Sequence, residues 1–175
     1  LCNKKNKKTF KKNKKKKEVL KEKKKDGEFP LTDVQYAYWV GRKDDQPLGG
    51  VGSHAYIELD GENLEPDTLS SAWEVINEHH PMLRAIFTSD GKQKISPVMT
   101  NNPLKINDLR LVKDGLEDEL ESIRERLSHR RFEIEKGEVA GLELSLLPDN
   151  KTRIHFDIDL LVADVLSLKI ILRDL

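Results

Sequence analysis

The chain has 175 residues, 31 Lys and Arg against 31 Asp and Glu, and one cysteine, Cys2. A lone cysteine excludes an intrachain disulfide and a thiolate metal cluster, and it points to a reducing compartment, so a cytoplasmic protein is expected. The zero net charge conceals an asymmetry: Leu1 to Glu28 carries 14 Lys against four acids, which leaves residues 29–175 correspondingly acidic.

The Lys-rich stretch 1–28 repels itself and has few apolar anchors, so it reads as a disordered tail or linker outside any core. An inert linker, a docking segment and a polyanion-binding arm are the readings open to it. Its start lacks the apolar segment of a secretory signal, and no apolar run approaches the ~20 residues of a membrane span. For the folded part, neither a membrane nor a nucleic acid is expected as partner. Residues 29–175 suffice for one α/β unit and are too few for two domains.

Order is predicted to begin at Phe29-Pro30-Leu31. Thr32 and Gln35 then stand at capping-box spacing and open a helix through Val40, stopped by Gly41. Residues 43–53 read as loop, and the run Gly49-Gly50-Val51-Gly52 lacks the Lys and hydroxyl of a nucleotide cradle. From His54, Ala55, Ile57 and Leu59 alternate with His54, Tyr56 and Glu58, the pattern of a strand. Pro66 suits a first helical position, and Leu69, Ala72, Trp73 and Ile76 carry a helix toward His80.

A strand is predicted over Leu83 to Thr88, a turn at Ser89-Asp90-Gly91, a second strand over Gln93 to Pro97 and a short one at Leu104 to Ile106. Leu116, Leu120, Ile123 and Leu127 form one stripe of a helix running to Arg131. Gly141 to Leu147 and Thr152 to Asp157 flank Pro148-Asp149-Asn150 as a hairpin. A last helix starts near Asp164 and is still periodic at Leu175, so a fragment is suspected. This order argues for α/β architecture, a mixed β-sheet sandwiched by helices.

Three separated segments carry a resemblance. Phe29 to Arg42 reads FPLTDVQYAYWVGR, His79 to Ala85 reads HHPMLRA, and Asp159 to Ser167 reads DLLVADVLS. They resemble, in order, the FPLTxxQxAYxxGR, RHPMLRA and DxxxxDxxS motifs of heterocyclization domains, the variant condensation domains of nonribosomal peptide synthetases, with His79 where Arg is usual. The resemblance covers essentially all of residues 29–175. It implies the N-terminal lobe of a chloramphenicol-acetyltransferase-like condensation fold, with the C-terminal lobe absent.

The same resemblance sets Asp159 and Leu160 where ordinary condensation domains carry the two histidines of HHxxxDG. Leucine cannot accept a proton, so the ordinary base is missing. Asp159 and Asp164 can be read as an acid and base pair or as structural anchors. By resemblance, Asp159 faces the substrate tunnel, Tyr38, Gly41, Arg42 and Leu160 line it, and Asp164 pairs with Arg84 in a salt bridge. Ser167 is expected to cap or hydrogen-bond at the start of the last helix, because no His and acid lie nearby in a nucleophile arrangement. Trp39 and Trp73 read as core, and His54, His129 and His155 as isolated surface or packing residues. His79 and His80 would diverge on a helix, so no metal site is expected.

The implied reaction joins a carrier-bound acyl or peptidyl thioester to carrier-bound Cys, Ser or Thr and cyclodehydrates the product to a thiazoline or oxazoline. The implied partners are upstream and downstream peptidyl carrier domains with their phosphopantetheine arms, an adenylation domain of the same assembly line and the missing lobe. Such an enzyme works as part of the full synthetase, and these residues alone are expected to be inactive. A non-catalytic lobe that only binds a carrier protein is the alternative.

Overall fold

A computed structural model describes residues 27–43, 49–98 and 102–175. The expectation for the Lys-rich tail therefore lies outside the described residues, apart from Gly27 and Glu28. The strands are β1 (Glu28–Pro30), β2 (His54–Glu62), β3 (Ala85–Phe87), β4 (Lys92–Ile95), β5 (Lys105–Asp108), β6 (Ala140–Leu146) and β7 (Lys151–Asp159). The helices are α1 (Asp33–Gly41), α2 (Pro66–His79), α3 (Leu116–Ser128) and α4 (Val165–Asp174), with short 3-10 turns at Pro81–Arg84, Ile134–Lys136 and Pro148–Asn150. No helix among the described residues is long and apolar enough to cross a membrane.

Two sheets form. One is antiparallel, in the order β1-β4-β3; the other is mixed, in the order β2-β7-β6-β5, with β5 and β6 parallel. The β6–β7 hairpin closes through the three residues Pro148-Asp149-Asn150, of which Asp149 and Asn150 take positive φ. Thr32 caps α1 through the expected reciprocal pair: its hydroxyl accepts from the Gln35 N–H, and the Gln35 side-chain oxygen accepts from the Thr32 N–H. Gly41 does not stop that helix. It is helical, and Arg42 is the C-cap in an ordinary right-handed conformation.

Alternation along the mixed sheet sends Ala55 and Ile57, Leu142 and Leu144, and Phe156 and Ile158 to one face. There they meet Leu69, Trp73 and Ile76 of α2 and Ile171 of α4 in the main core, with Trp73 edge-on to Phe156 and its indole N–H bonded to the Asn102 carbonyl. The opposite face carries Tyr56, Glu58, Glu143, Ser145, His155 and Asp157. Its polar pattern reads as solvated, yet α3 covers it through the smaller core of Leu109, Leu120, Ile123, Leu127 and Leu147. His155 and Asp157 are fully buried.

Buried charge needs partners, and arginines from α3 and the segment after it supply them. Arg126 holds Glu143 in a two-pronged bond of 2.8 Å on each oxygen, joined by the Asn107 amide at 3.0 Å. Burial raises the Glu143 carboxyl, but these bonds more than offset it and leave it at about 2. Arg124 binds Glu58 in the same manner. The Tyr56 hydroxyl donates to Glu58, and the His155 ring bridges Tyr56 at 2.7 Å and Ser145 at 2.8 Å. Burial pushes the His155 imidazole down, which favours its neutral form. His155 is thus a satisfied member of a buried network, where sequence alone leaves it isolated.

Asp157 is the strained member. Its Oδ2 reaches Arg130 at 3.4 Å, while its Oδ1 has no hydrogen-bond partner. A Cβ on Gly141 would stand 2.3 Å from that oxygen, so only glycine leaves room for the pair. Burial pushes the carboxyl up to about 6, with Arg130 opposing. The folded chain then holds a proton that the unfolded chain releases near the ordinary 3.8. Stability present below that value is lost as pH rises through about 6, by roughly 3 kcal/mol. Asp157→Asn is therefore expected to exceed the parent in denaturant midpoint at pH 7.5, with the gap closing toward pH 4; parallel curves for the two proteins across that range would contradict it.

Candidate functional site

The three sequence motifs meet at one cleft of 490 Å³. The first motif contributes Thr32, Val34, Gln35 and Tyr38, the second Met82, and the third the run from Leu160 to Val165 together with Ser167. Chain segments 126 residues apart are joined by Gln35, whose amide donates to the Leu161 carbonyl at 2.7 Å and exchanges bonds with the buried Gln93. Sequence reasoning gives Gln35 the cap of α1 and a place in the first motif, but no partner in the third. The missed signal is that a capping Gln has a second polar atom, and here that amide fastens the third motif to the first.

Of the residues expected at the site, Tyr38, Leu160, Asp164 and Ser167 line this cleft. Gly41, Arg42, Arg84 and Asp159 do not. Arg42 is nearly buried and forms an ion pair with Asp159, while its other terminal nitrogen donates to the Phe132 carbonyl at 2.6 Å. Arg42 borders a separate cleft with Trp39, Lys43 and residues 131–136. Its side chain runs inward under Gly52, where a Cβ would lie 2.8 Å from its guanidinium. Asp159 receives Arg42 on one oxygen and the Leu161 N–H, at 3.0 Å, on the other. Burial pushes its carboxyl up and Arg42 opposes this.

The expected salt bridge between Arg84 and Asp164 is not formed. Arg84 spends its guanidinium on three backbone carbonyls, Asn77 at 2.5 Å, Glu78 at 2.6 Å and Ser96 at 3.3 Å. The first two are unsatisfied acceptors at the C-terminal end of α2, where the helix dipole favours a cation. Asp164 is exposed and caps α4, accepting from the Ser167 N–H at 2.8 Å and the Ser167 hydroxyl at 2.7 Å. These bonds, the backbone one foremost, hold its carboxyl below the ordinary value. The capping expectation placed on Ser167 is met with the roles exchanged, since Asp164 is the acceptor and Ser167 the third helical residue.

Chemically, the cleft offers the hydroxyls of Thr32, Tyr38 and Ser167, one exposed carboxylate and an apolar floor from Leu160 to Ala163. No histidine is among its lining residues. Such a surface can hold and align reactants. The carboxylate of Asp164 is its one ready proton acceptor, and that group is already engaged in capping.

The condensation-domain family profile matches residues 25–175. The chain is 43% identical over 150 residues to the phenyloxazoline synthase MbtB of Mycobacterium tuberculosis, covering 84% of this chain and 10% of that protein. It is 36% identical over 152 residues to the pyochelin synthetase PchE of Pseudomonas aeruginosa, covering 86% and 10%. The solved cyclization-docking bidomain of EpoB from Sorangium cellulosum superposes with a TM-score of 0.78 at 36% identity, over 84% of this chain and 30% of that one. The chain spans about a tenth of the length of the curated relatives it matches. Its α/β architecture is that of condensation-domain structures. With three motifs gathered at one cleft and a profile match across the whole described fold, the chain belongs to the condensation-domain family.

Proposed function

We propose that residues 29–175 form the N-terminal lobe of a heterocyclization domain in a nonribosomal peptide synthetase. The observation that carries this reading is Leu160 in the lining of the shared cleft, at the position where the resemblance puts the second histidine of an ordinary condensation domain. Likeness to the EpoB cyclization region and to MbtB and PchE supports it.

In this reading the acceptor amine, delivered on one carrier's phosphopantetheine arm, attacks the donor thioester carbonyl; an amide forms and the donor's thiol leaves with the proton. The acceptor's side-chain thiol or hydroxyl then adds to that amide carbonyl, which closes the ring, and the resulting hydroxyl leaves as water with the nitrogen's proton to form the C=N bond. Amide formation from a thioester is downhill, so alignment against Tyr38 and the floor at Leu160 supplies much of the rate. Loss of water needs proton donation to a poor leaving group. The residues for that step belong, by resemblance, to a C-terminal lobe that also forms the cleft's opposite wall and excludes solvent.

The test joins residues 29–175 to the C-terminal lobe of the EpoB cyclization domain and supplies both loaded carriers. Mass spectrometry is expected to show an amide followed by loss of one water from the hybrid, and neither product from the 175-residue chain by itself. An amide that never loses water would mark an ordinary condensation lobe. Carrier binding by NMR without either product from a folded hybrid would mark a carrier-docking lobe instead.

A further inference from the structure

Helix α2 ends at His79, and Pro81 forces the preceding residue out of helical geometry: His80 is extended, with φ −101° and ψ 94°. The two imidazoles are therefore not held apart as on a continuous helix. Their rings lie 5.1 Å apart and nearly perpendicular. Near the C-terminal end of α4, Asp174 turns one oxygen toward the pair, 3.1 Å from His80 Nε2, while Arg173 engages its other oxygen at 2.8 Å. One ligand atom from each of His79, His80 and Asp174 falls within 4.8 Å of the others.

We infer that His79, His80 and Asp174 form a binding site for a divalent transition-metal ion, with zinc the best match to two imidazoles and one carboxylate. Donors around a tetrahedral zinc at ~2.0–2.2 Å stand ~3.4 Å from one another, close to the spacing of His80 and Asp174 already present. His79 is exposed and can rotate its ring the remaining distance. Arg173 does not block the site, because it occupies only the oxygen turned away from His80. Water completes the coordination. The ion would pin the end of α2, which leads into the second motif, to the end of α4, whose first turn lines the cleft.

Isothermal titration of zinc chloride into the full chain, in a non-coordinating buffer, tests this. One equivalent is expected to bind with a dissociation constant tighter than ~100 µM, and cobalt(II) bound at the same site is expected to show visible ligand-field bands. His79→Ala, His80→Ala and Asp174→Asn should each weaken binding at least ~10-fold. Cys2→Ser and His129→Ala, the latter removing the exposed His129 and Glu125 pair, should leave it unchanged. At a hundredfold excess over its dissociation constant, zinc should raise the thermal midpoint of the parent by ~5 °C and not that of the His79→Ala variant. No saturable binding, binding that survives the His79→Ala and His80→Ala double variant, or binding abolished by Cys2→Ser would overturn the site.

Discussion

Arg42→Ala is expected to destabilise the fold by about 3 to 5 kcal/mol, because it strands the Asp159 carboxylate where the chain is almost fully buried and leaves the Phe132 carbonyl without its donor. Asp159→Ala should cost a similar amount for the mirror reason. The pair Arg42→Met with Asp159→Leu removes both charges together, and its cost should fall well below the sum, giving a coupling of about 2 kcal/mol or more in a denaturant double-mutant cycle. Additive costs would show that the pair is not the unit described. In a hybrid synthetase, Asp159→Asn should lower product only as far as it lowers the folded fraction, with the pH–rate profile unchanged. A profile that loses one limb while the protein stays folded would make Asp159 a proton-transfer group.

Arg84→Ala is expected to cost about 2 to 3 kcal/mol through the three carbonyls it serves, two of them the terminal acceptors of α2. Asp164→Ala should cost only about 1 kcal/mol, the ordinary loss of an N-cap. The two changes should be additive to within about 0.5 kcal/mol, since the groups share no partner. A coupling above about 2 kcal/mol would restore the salt bridge that the motifs suggest. Thermal or urea unfolding of the two single variants and the double variant reads this directly.

Much of the fold is local in origin, and so was legible. The capping box at Thr32, the proline opening α2, the stripe from Leu116 to Leu127 and the turn at Asp149 and Asn150 each depend on residues within a few positions of one another. Hydrophobic alternation along β2 placed Ala55 and Ile57 on the core face, though Leu59, in the same pattern, is exposed. Alternation cannot tell a solvated polar face from a covered one, however. The burial of Tyr56, Ser145, His155 and Asp157 beneath α3 was invisible for that reason: the arginines that make it tolerable lie up to some 70 residues away along the chain.

The site divides along the same line. The motif residues Tyr38, Leu160, Asp164 and Ser167 could be named from sequence, and they do gather at one cleft. Which charges pair could not be named, because an arginine's reach spans several acceptors and its choice follows from packing. Gly52 leaves the space that lets Arg42 turn inward to Asp159, and the frayed carbonyls of α2 attract Arg84 before any carboxylate can. His79 and His80 show the same dependence, since a proline one residue later decides whether two neighbouring rings diverge or meet. By itself the sequence determined most of the elements, the family likeness and the segments that meet at the cleft. The partners of each buried charge were decided only when distant segments packed, because a charge taken out of water is stabilised by whichever donors the fold brings within about 3 Å.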